Sequence, residues 1–222
     1  QAKGAGVSVQ DGKRAFSPPR PPRRPDDRDR GSRLNSNSLR IVGGRFRRRI
    51  LRFPDSEGLR PTPDRVRETL FNWLGQDLAG QACLDLFAGS GALGFEALSR
   101  GAARVVLVEP AAKAVAALHE NARMLGNPPG MEIICGDALQ YLASTKSKFD
   151  LIFLDPPFAK GWIARLEPLL AGVANEDAAV YIEAELEVGA LGDWRAMRHG
   201  KAGEVHFHLM RQDKAWANSI IA

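Results

Sequence analysis

The chain has 222 residues, 44% of them hydrophobic, which is enough for one sizeable domain with its own core. No apolar run approaches the roughly 18–20 residues of a membrane helix, so we expect a soluble protein without a membrane partner. The formal net charge is +5, but residues 1–60 hold 16 Lys+Arg against 6 Asp+Glu, and residues 61–222 hold 15 against 20. A basic front on an acidic body favours a polyanion partner over the alternative of a solubilising tail.

The cysteine and histidine content is uninformative about a metal site. Cys83 and Cys135 lie inside apolar, strand-like runs without CxxC spacing. We interpret them as small core residues in a reducing compartment and expect a cytoplasmic protein. The four histidines show no metal-ligand or catalytic-triad spacing, so we predict no metal.

Residues 1–38 form a tail rich in Pro, Arg, Asp, Ser and Gly, with almost no apolar periodicity. This composition predicts disorder. The tail has no apolar region of the kind that a secretory signal requires.

Residues 39–58 predict a basic β-hairpin. The first strand and a glycine turn fall in 39–46, and the second strand falls in 47–53. We predict that the hairpin arginines bind RNA phosphates, although a solvated charged surface is the alternative. These residues are Arg40, Arg45, Arg47, Arg48, Arg49 and Arg52.

The next segment, 59–74, predicts a helix. Thr62 is a plausible N-cap, and Pro63 suits the first helical position. Behind them, an apolar stripe at helical spacing includes Val66, Leu70 and Trp73. We interpret Phe71 and Trp73 as core residues in preference to ligand contacts.

From residue 82 the pattern alternates between strand and helix, which predicts a parallel sheet covered on both faces. Strands are predicted at 82–87, 104–109, 131–135, 150–154 and 178–183, with helices at 91–100, 111–125, 137–143 and 161–171. The segments 194–198 and 204–211 then predict a closing antiparallel hairpin.

The first strand leads into a glycine-rich turn. Gly89, Gly91 and Gly94 satisfy G-x-G-x-x-G, which permits a tight turn and close ligand approach, and Glu109 ends the next strand, where an acid can bind ribose hydroxyls. A dinucleotide-dependent dehydrogenase would share these features. Asp85 argues against it, because a carboxylate repels a pyrophosphate but attracts the sulfonium and ammonium groups of S-adenosylmethionine.

Asp137 follows the third strand, where it is suited equally to contact an adenine amino group and to cap the next helix. The acids and the glycine turn all fall at the carboxyl ends of strands, where ligands bind in open α/β sheets. We therefore predict an S-adenosylmethionine site formed by Asp85, Phe87, Gly89, Gly91, Glu109, Asp137 and Ala138.

The fourth strand ends in the sequence Asp155-Pro156-Pro157-Phe158, which we call the clamp. The acid accepts hydrogen bonds from an amine, the prolines offer only carbonyl acceptors, and the aromatic ring offers a stacking face. A strand-ending turn is the structural alternative. We predict Asp155, Pro156 and Phe158 as catalytic residues.

These segments, together with Leu39–Gly44 and Leu59–Leu74, resemble the bacterial 16S ribosomal RNA guanine(966)-N2 methyltransferases, within the class I S-adenosylmethionine-dependent group. The resemblance covers about residues 39–212. It implies a Rossmann-like α/β domain over 59–214, with a seven-stranded, mostly parallel sheet whose last strand is antiparallel. Residues 215–222 would be a tail. It also implies methylation of the exocyclic N2 of one guanine in small-subunit ribosomal RNA.

We expect a monomer that acts on ribosomal RNA, within a small-subunit particle in preference to naked RNA. Two other functions remain open from the sequence. The clamp suits any exocyclic amine, so a DNA adenine-N6 methyltransferase is one alternative. A non-catalytic RNA-binding assembly factor that retains the cofactor fold is the other.

Overall fold

The computed structural model describes residues 37–55, 61–158 and 160–213. The predicted tails, 1–38 and 215–222, therefore lie outside the described residues, except that Asn37 and Ser38 are described and Ser38 begins the first strand. Among the described residues, no helix is long and apolar enough to cross a membrane.

Ten strands and five helices form the described part of the chain. The strands are β1 Ser38–Arg40, β2 Ile50–Arg52, β3 Ala82–Asp85, β4 Arg104–Glu109, β5 Met131–Cys135, β6 Phe149–Leu154, β7 Ala174–Ala184, β8 Ala190–Leu191, β9 Trp194–Ala202 and β10 Val205–Gln212. The helices are α1 Asp64–Leu74, α2 Ala92–Ser99, α3 Ala112–Met124, α4 Ala138–Ser144 and α5 Trp162–Val173.

The central sheet has the strand order β5-β4-β3-β6-β7-β10-β9-β8. Its first five strands are parallel, and β10 is antiparallel to both neighbours, which confirms the predicted reversed last strand. The predicted count of seven strands is wrong by one, because the two-residue β8 adds an edge strand. The chain reverses its direction of winding after β5 and returns to the centre at β6, which opens a ligand crevice at the carboxyl ends of β3 and β6.

Helices cover both faces of the parallel half, so its strands are almost continuously apolar. Side chains alternate between two hydrophobic clusters. Val105 and Leu107 of β4 face the cluster that contains α2 and β1–β2, whereas Val106 and Val108 face the cluster that contains α4 and α5.

The N-terminal hairpin pairs β1 with β2 in antiparallel register, but its strands are shorter than predicted. Residues 41–49, which we call the arginine turn, are not extended. Arg47 N donates to the Gly44 carbonyl, and Arg48 adopts a φ of +70°, so the second strand begins only at Ile50. Leu39 and Leu51 are buried in the same cluster as the sheet, so the hairpin shares the core of the large domain.

One buried carboxylate fastens the hairpin to the domain. Glu96 of α2 is fully buried, and its two oxygens accept hydrogen bonds from Val42 N at 2.8 Å and Gly43 N at 2.7 Å. The same oxygens bind Arg67 at 3.1 Å and Arg100 at 2.9 Å. Four donors satisfy the capacity of a carboxylate, about four lone pairs, so the charge is fully compensated.

Candidate active site

Strand register brings three carboxyl groups together at one edge of the sheet. Asp85 ends β3, Asp155 follows β6, and Glu183 lies near the end of β7. Phe153 is in register with Asp85 on one side and with Tyr181 on the other, so Asp155 and Glu183 lie one same-face position further along. We call Asp85, Asp155 and Glu183 the acid cluster.

The glycine-rich turn between β3 and α2 has the geometry that its sequence predicts. Gly91 adopts a φ of +78°, and a Cβ on it would lie 2.5 Å from the Phe95 ring. A Cβ on Gly94 would lie only 2.1 Å from Leu107. The turn therefore requires glycine both for its backbone conformation and for close packing of α2 on the sheet.

Asp85 binds a backbone amide at the end of this turn. Its side chain is 2% exposed, and Oδ2 accepts a hydrogen bond from Gly94 N at 3.1 Å. Burial, with smaller contributions from the neighbouring Glu109 and Glu183 carboxylates, raises the pKa of Asp85 to about 7. In the described part of the chain, no Lys or Arg forms an ion pair with it. A positively charged ligand would stabilise its ionised form.

Glu109 connects the glycine turn to the next strand–helix junction. One of its oxygens accepts from Gly89 N and the other from Ala111 N, both at 2.9 Å. The carboxylate is thereby fixed in orientation. Because each oxygen has a second lone pair, it can still accept hydrogen bonds from ligand hydroxyls.

Asp137 is the N-cap of α4, as one of its two predicted roles required. Its Oδ1 accepts from Leu139 N at 2.9 Å and from Gln140 N at 3.1 Å. Both bonds use the same oxygen, so Oδ2 is available to a ligand amine. Ala138 is buried directly behind it.

The clamp combines a sheltered acid with an exposed ring. Pro156 is buried, whereas Phe158 is 41% exposed. Burial and the neighbouring Glu183 and Asp85 carboxylates raise the pKa of Asp155 well above its usual value. An exposed aromatic beside a desolvated acid is suited to stack a planar base and accept hydrogen bonds from its amine.

Thr62 is not the N-cap that its sequence position predicted. Pro63 is the N-cap of α1, with an extended ψ of 148°, and no side chain caps the helix. The Thr62 hydroxyl instead donates to Asp155 Oδ2 at 3.3 Å. Threonine serves either purpose, and the choice depends on an acid that lies 93 residues away in sequence.

Sequence analysis also missed Glu183 and Tyr181. Glu183 is 5% exposed, and its Oε1 accepts from the Tyr181 hydroxyl at 2.9 Å. Burial raises the pKa of both groups. The available signal was an acid at the end of a predicted apolar strand, the same signal that identified Asp85 and Asp155.

Two aromatic rings lie beside the glycine-rich turn. Phe87 and Trp162 meet edge to face with centroids 5.2 Å apart. Trp162 Nε1 is buried without a hydrogen-bond partner among the described residues.

Phe71 is core, as predicted, and Trp73 stacks on Phe207.

The six predicted RNA-binding arginines are all exposed. Arg40 lies 3.8 Å from Asp64, and Arg49 donates to the Met124 carbonyl. Among the described residues, no carboxylate forms an ion pair with the rest of the set, which is Arg45, Arg47, Arg48, Arg49 and Arg52. A cavity of about 380 Å³ adjoins Arg47 and Arg100, and none of its lining residues belongs to the acid cluster.

The pairing of β9 with β10 brings three histidines together, His199 on β9 and His206 and His208 on β10. His199 Nε2 lies 3.0 Å from His206 Nδ1, and His199 is directly opposite His208. His208 Nε2 accepts from Val188 N at 3.0 Å, which assigns the proton to Nδ1 and leaves no free lone pair. Coordination by His208 would require the loss of the Val188 hydrogen bond or of the Nδ1 proton, and the prediction of no metal stays a prediction.

A mostly parallel sheet with a reversed last strand, a glycine turn and acidic strand ends define a class I methyltransferase. A methyltransferase of this fold from Salinibacter ruber, described as an RNA methyltransferase in complex with S-adenosyl-L-homocysteine, superposes with a TM-score of 0.54. At 19% identity, over 70% of this chain and 95% of that one, this likeness concerns the fold alone.

The chain belongs to the family described as Conserved hypothetical protein 95, which matches residues 39–211. It is 41% identical to the ribosomal RNA small subunit methyltransferase D of Escherichia coli strain K12, over 80% of this chain and 92% of that protein. A solved Escherichia coli structure described as a methyltransferase has 38% identity and a TM-score of 0.72, over 80% of this chain and 99% of that one.

Proposed function

We propose that the protein transfers a methyl group from S-adenosylmethionine to the exocyclic N2 of a guanine in small-subunit ribosomal RNA. The observation that carries this proposal is the clamp at the end of β6, one strand away from a glycine turn whose acid has no described cationic partner. The relative named ribosomal RNA small subunit methyltransferase D, at 41% identity, supports ribosomal RNA as the substrate.

The strand-end residues fit the cofactor. Asp85 and Glu109 make the site electronegative, which suits a ligand with sulfonium and ammonium groups. Glu109 is oriented to accept the ribose hydroxyls, and Asp137 Oδ2 to accept the adenine amine. When bound, S-adenosylmethionine supplies an activated methyl group.

The clamp then orients the acceptor. A guanine N2 amine is a poor nucleophile, because its lone pair is delocalised into the ring. Asp155 Oδ1, the oxygen that Thr62 does not bind, accepts one N–H, and the Pro156 carbonyl accepts the other. Both bonds turn the lone pair out of conjugation and stabilise the positive charge that develops on nitrogen.

Asp155 also receives the proton that the methylated nitrogen must lose. In its ionised form, a carboxyl whose pKa is raised by burial is a better proton acceptor than an exposed aspartate. Phe158 stacks on the base, which has to leave any helical stack at a cost of a few kcal/mol. Much of the rate therefore derives from positioning.

The arginine turn holds the RNA backbone. Its exposed arginines, without described acidic partners, match a row of phosphates, and the affinity should fall steeply with salt. The Glu96 network fixes this turn against α2, so the captured RNA has a defined orientation relative to the domain.

Methyl transfer from labelled S-adenosylmethionine to unmodified small-subunit particles and to naked ribosomal RNA, followed by nucleoside digestion, tests the proposal. We expect label in N2-methylguanosine. Label in N6-methyladenosine, or label on duplex DNA supplied as a third substrate, would keep the enzyme class and reject the proposed substrate. No label, despite tight cofactor binding, would favour the assembly-factor alternative.

A further inference from the structure

Glu183 is a buried acid that the proposed mechanism leaves unused. It lies on β7, the strand that pairs with β6, where Leu154 is in register with Ile182. The next residues, Asp155 and Glu183, therefore lie side by side, and their side chains leave the same face of the sheet. Glu183 is only 5% exposed.

The hydrogen bonds of Glu183 leave acceptor capacity unfilled. The Tyr181 hydroxyl donates to Oε1, and the Thr62 hydroxyl, which binds Asp155, is also within reach. Neither Lys nor Arg forms an ion pair with Glu183 anywhere in 37–55, 61–158 or 160–213. Glu96, equally buried, has two backbone amides and two arginines. Ionising a buried carboxyl without such compensation is costly, so burial raises its pKa, and a ligand that supplies donors would favour the ionised form.

The Watson–Crick edges of the purines differ in what they offer to such a pair of acids. Guanine presents two adjacent donors, N1–H and N2–H. Adenine presents an N6–H donor next to the N1 lone pair. Two neighbouring carboxylates match the first pattern and repel the lone pair of the second.

We propose that Glu183 is the guanine-recognition residue, which accepts the N1–H of the base while Asp155 accepts an N2–H. This inference rests on the proposed function, because it assumes that guanine N2 is the methylated atom. Thr62 and Tyr181 are positioning residues that hold the two carboxylates side by side. The clamp alone would accept any exocyclic amine, so the second acid supplies the choice of base.

The base analogue 2-aminopurine tests this role, because it keeps the 2-amino group but has a lone pair at N1. Small-subunit particles are assembled on 16S ribosomal RNA that carries either guanine or 2-aminopurine at the position that the wild-type enzyme methylates. We expect the wild-type protein to prefer guanine by about 100-fold or more in kcat/KM, since a site built for a donor rejects an analogue without it.

Glu183→Gln should invert part of this preference. Tyr181 donates to Oε1, so the amide oxygen stays on that side and the NH2 group is presented to the base, where it can donate to the N1 lone pair of 2-aminopurine. We expect the guanine to 2-aminopurine ratio to fall at least about tenfold. Glu204→Gln, the same acid-to-amide change at an exposed position between β9 and β10, should leave the ratio within about threefold of wild type.

The outcomes distinguish failure of the proposed function from failure of the role proposed for Glu183. If the wild-type protein makes no N2-methylguanosine, the proposed function fails. If it does, but methylates 2-aminopurine equally well, the role of Glu183 is overturned, whether or not any variant folds. An unchanged ratio in Glu183→Gln that still binds S-adenosylhomocysteine also overturns it, and so does an equal change of the ratio in Glu204→Gln.

Discussion

The arginine turn and the acid cluster carry opposite charges and hold them in opposite ways. The arginines of the turn are exposed, whereas Asp85 and Glu183 are buried and bonded to the protein itself. An exposed charge attracts a flexible polyanion over a distance but positions it loosely. A buried charge costs free energy and is oriented accurately, which suits it to act on single atoms. Under the proposed function, the arginine turn binds the RNA backbone and the acid cluster at the strand ends acts on the base.

The largest effect should come from the acid cluster. Asp155→Ala should lower single-turnover methyl transfer by about 10³-fold, because the amine loses its acceptor and its proton sink. RNA affinity and cofactor affinity should change little. Glu204→Gln, an exposed acid between β9 and β10, is the control and should be fully active. Activity near the wild-type level in Asp155→Ala would remove the clamp from the mechanism.

The next largest effect should come from the Glu96 network, which holds the arginine turn on the domain. Glu96→Gln leaves buried Arg100 without its described counter-charge and leaves Arg67 with Asp64 alone, so the free energy of unfolding should fall by about 3–5 kcal/mol. Calorimetry should show a Tm lower by about 10 °C for a domain of this size. RNA affinity should weaken as well, because the arginine turn loses its anchor.

Glu120→Gln is the matched control for that prediction. It breaks an exposed ion pair with Arg123 of similar spacing, which should cost at most about 1 kcal/mol. Equal losses in the two variants would show that burial of the Glu96 network contributes nothing.

The capture surface should show a smaller and salt-dependent effect. Replacing Arg47, Arg48 and Arg49 with Gln should weaken RNA binding about tenfold or more at low salt, and should reduce the slope of log K against log[salt] by about 2. At saturating RNA, kcat should be preserved. The same substitutions at exposed Arg123, Arg198 and Lys201 are the control. An unchanged slope would mean that the turn is only a solvated surface.

The smallest predicted effect near neutral pH is a pH dependence of cofactor affinity at Asp85. Its pKa is raised from 3.8 to about 7, so the group is mostly neutral below pH 7 in the free protein. Affinity for S-adenosylmethionine should weaken by about tenfold per pH unit below 7, because the ionised acid attracts the cation. Calorimetric titrations should show this trend in the wild-type protein and a flat profile in Asp85→Asn.

The same shift has a stability consequence of defined sign. Between pH 4 and pH 7 the folded state keeps a proton that the unfolded state has lost. The contribution of Asp85 to stability is therefore present below pH 4 and is lost as the pH rises towards 7. Chemical denaturation of wild type and Asp85→Asn across this range would measure it, and a rise in the relative stability of wild type would contradict the assignment.

The parallel half of the fold could be predicted from sequence because its physics is local. Strands β4 and β5 have the bounds that the pattern indicates, since each is a mostly apolar run that ends at turn residues. The conformation of the arginine turn could not be predicted in this way. Its conformation depends on Glu96 and Ser99 of a distant helix, which bind its backbone amides.

The candidate site shows the same difference between residues with a local sequence signal and residues whose roles depend on distant parts of the chain. Asp85 and Asp155 could be recognised because each adjoins a motif whose chemistry is readable in one dimension. Glu183 carries the same strand-end signal, but its place beside Asp155 follows only from the pairing of β6 with β7. The role of Thr62 has no local signal, because it depends on the packing of the α1 start against Asp155. The cross-strand meeting of His199 and His208 was hidden for the same reason.

One pair of variants tests the division between capture and chemistry most directly. RNA affinity and single-turnover methyl transfer at saturating RNA should be measured side by side for Asp155→Ala and for the triple Arg47, Arg48 and Arg49→Gln protein. The account predicts that the first loses turnover and keeps affinity, and that the second loses affinity and keeps turnover. Loss of both properties in both variants would contradict it.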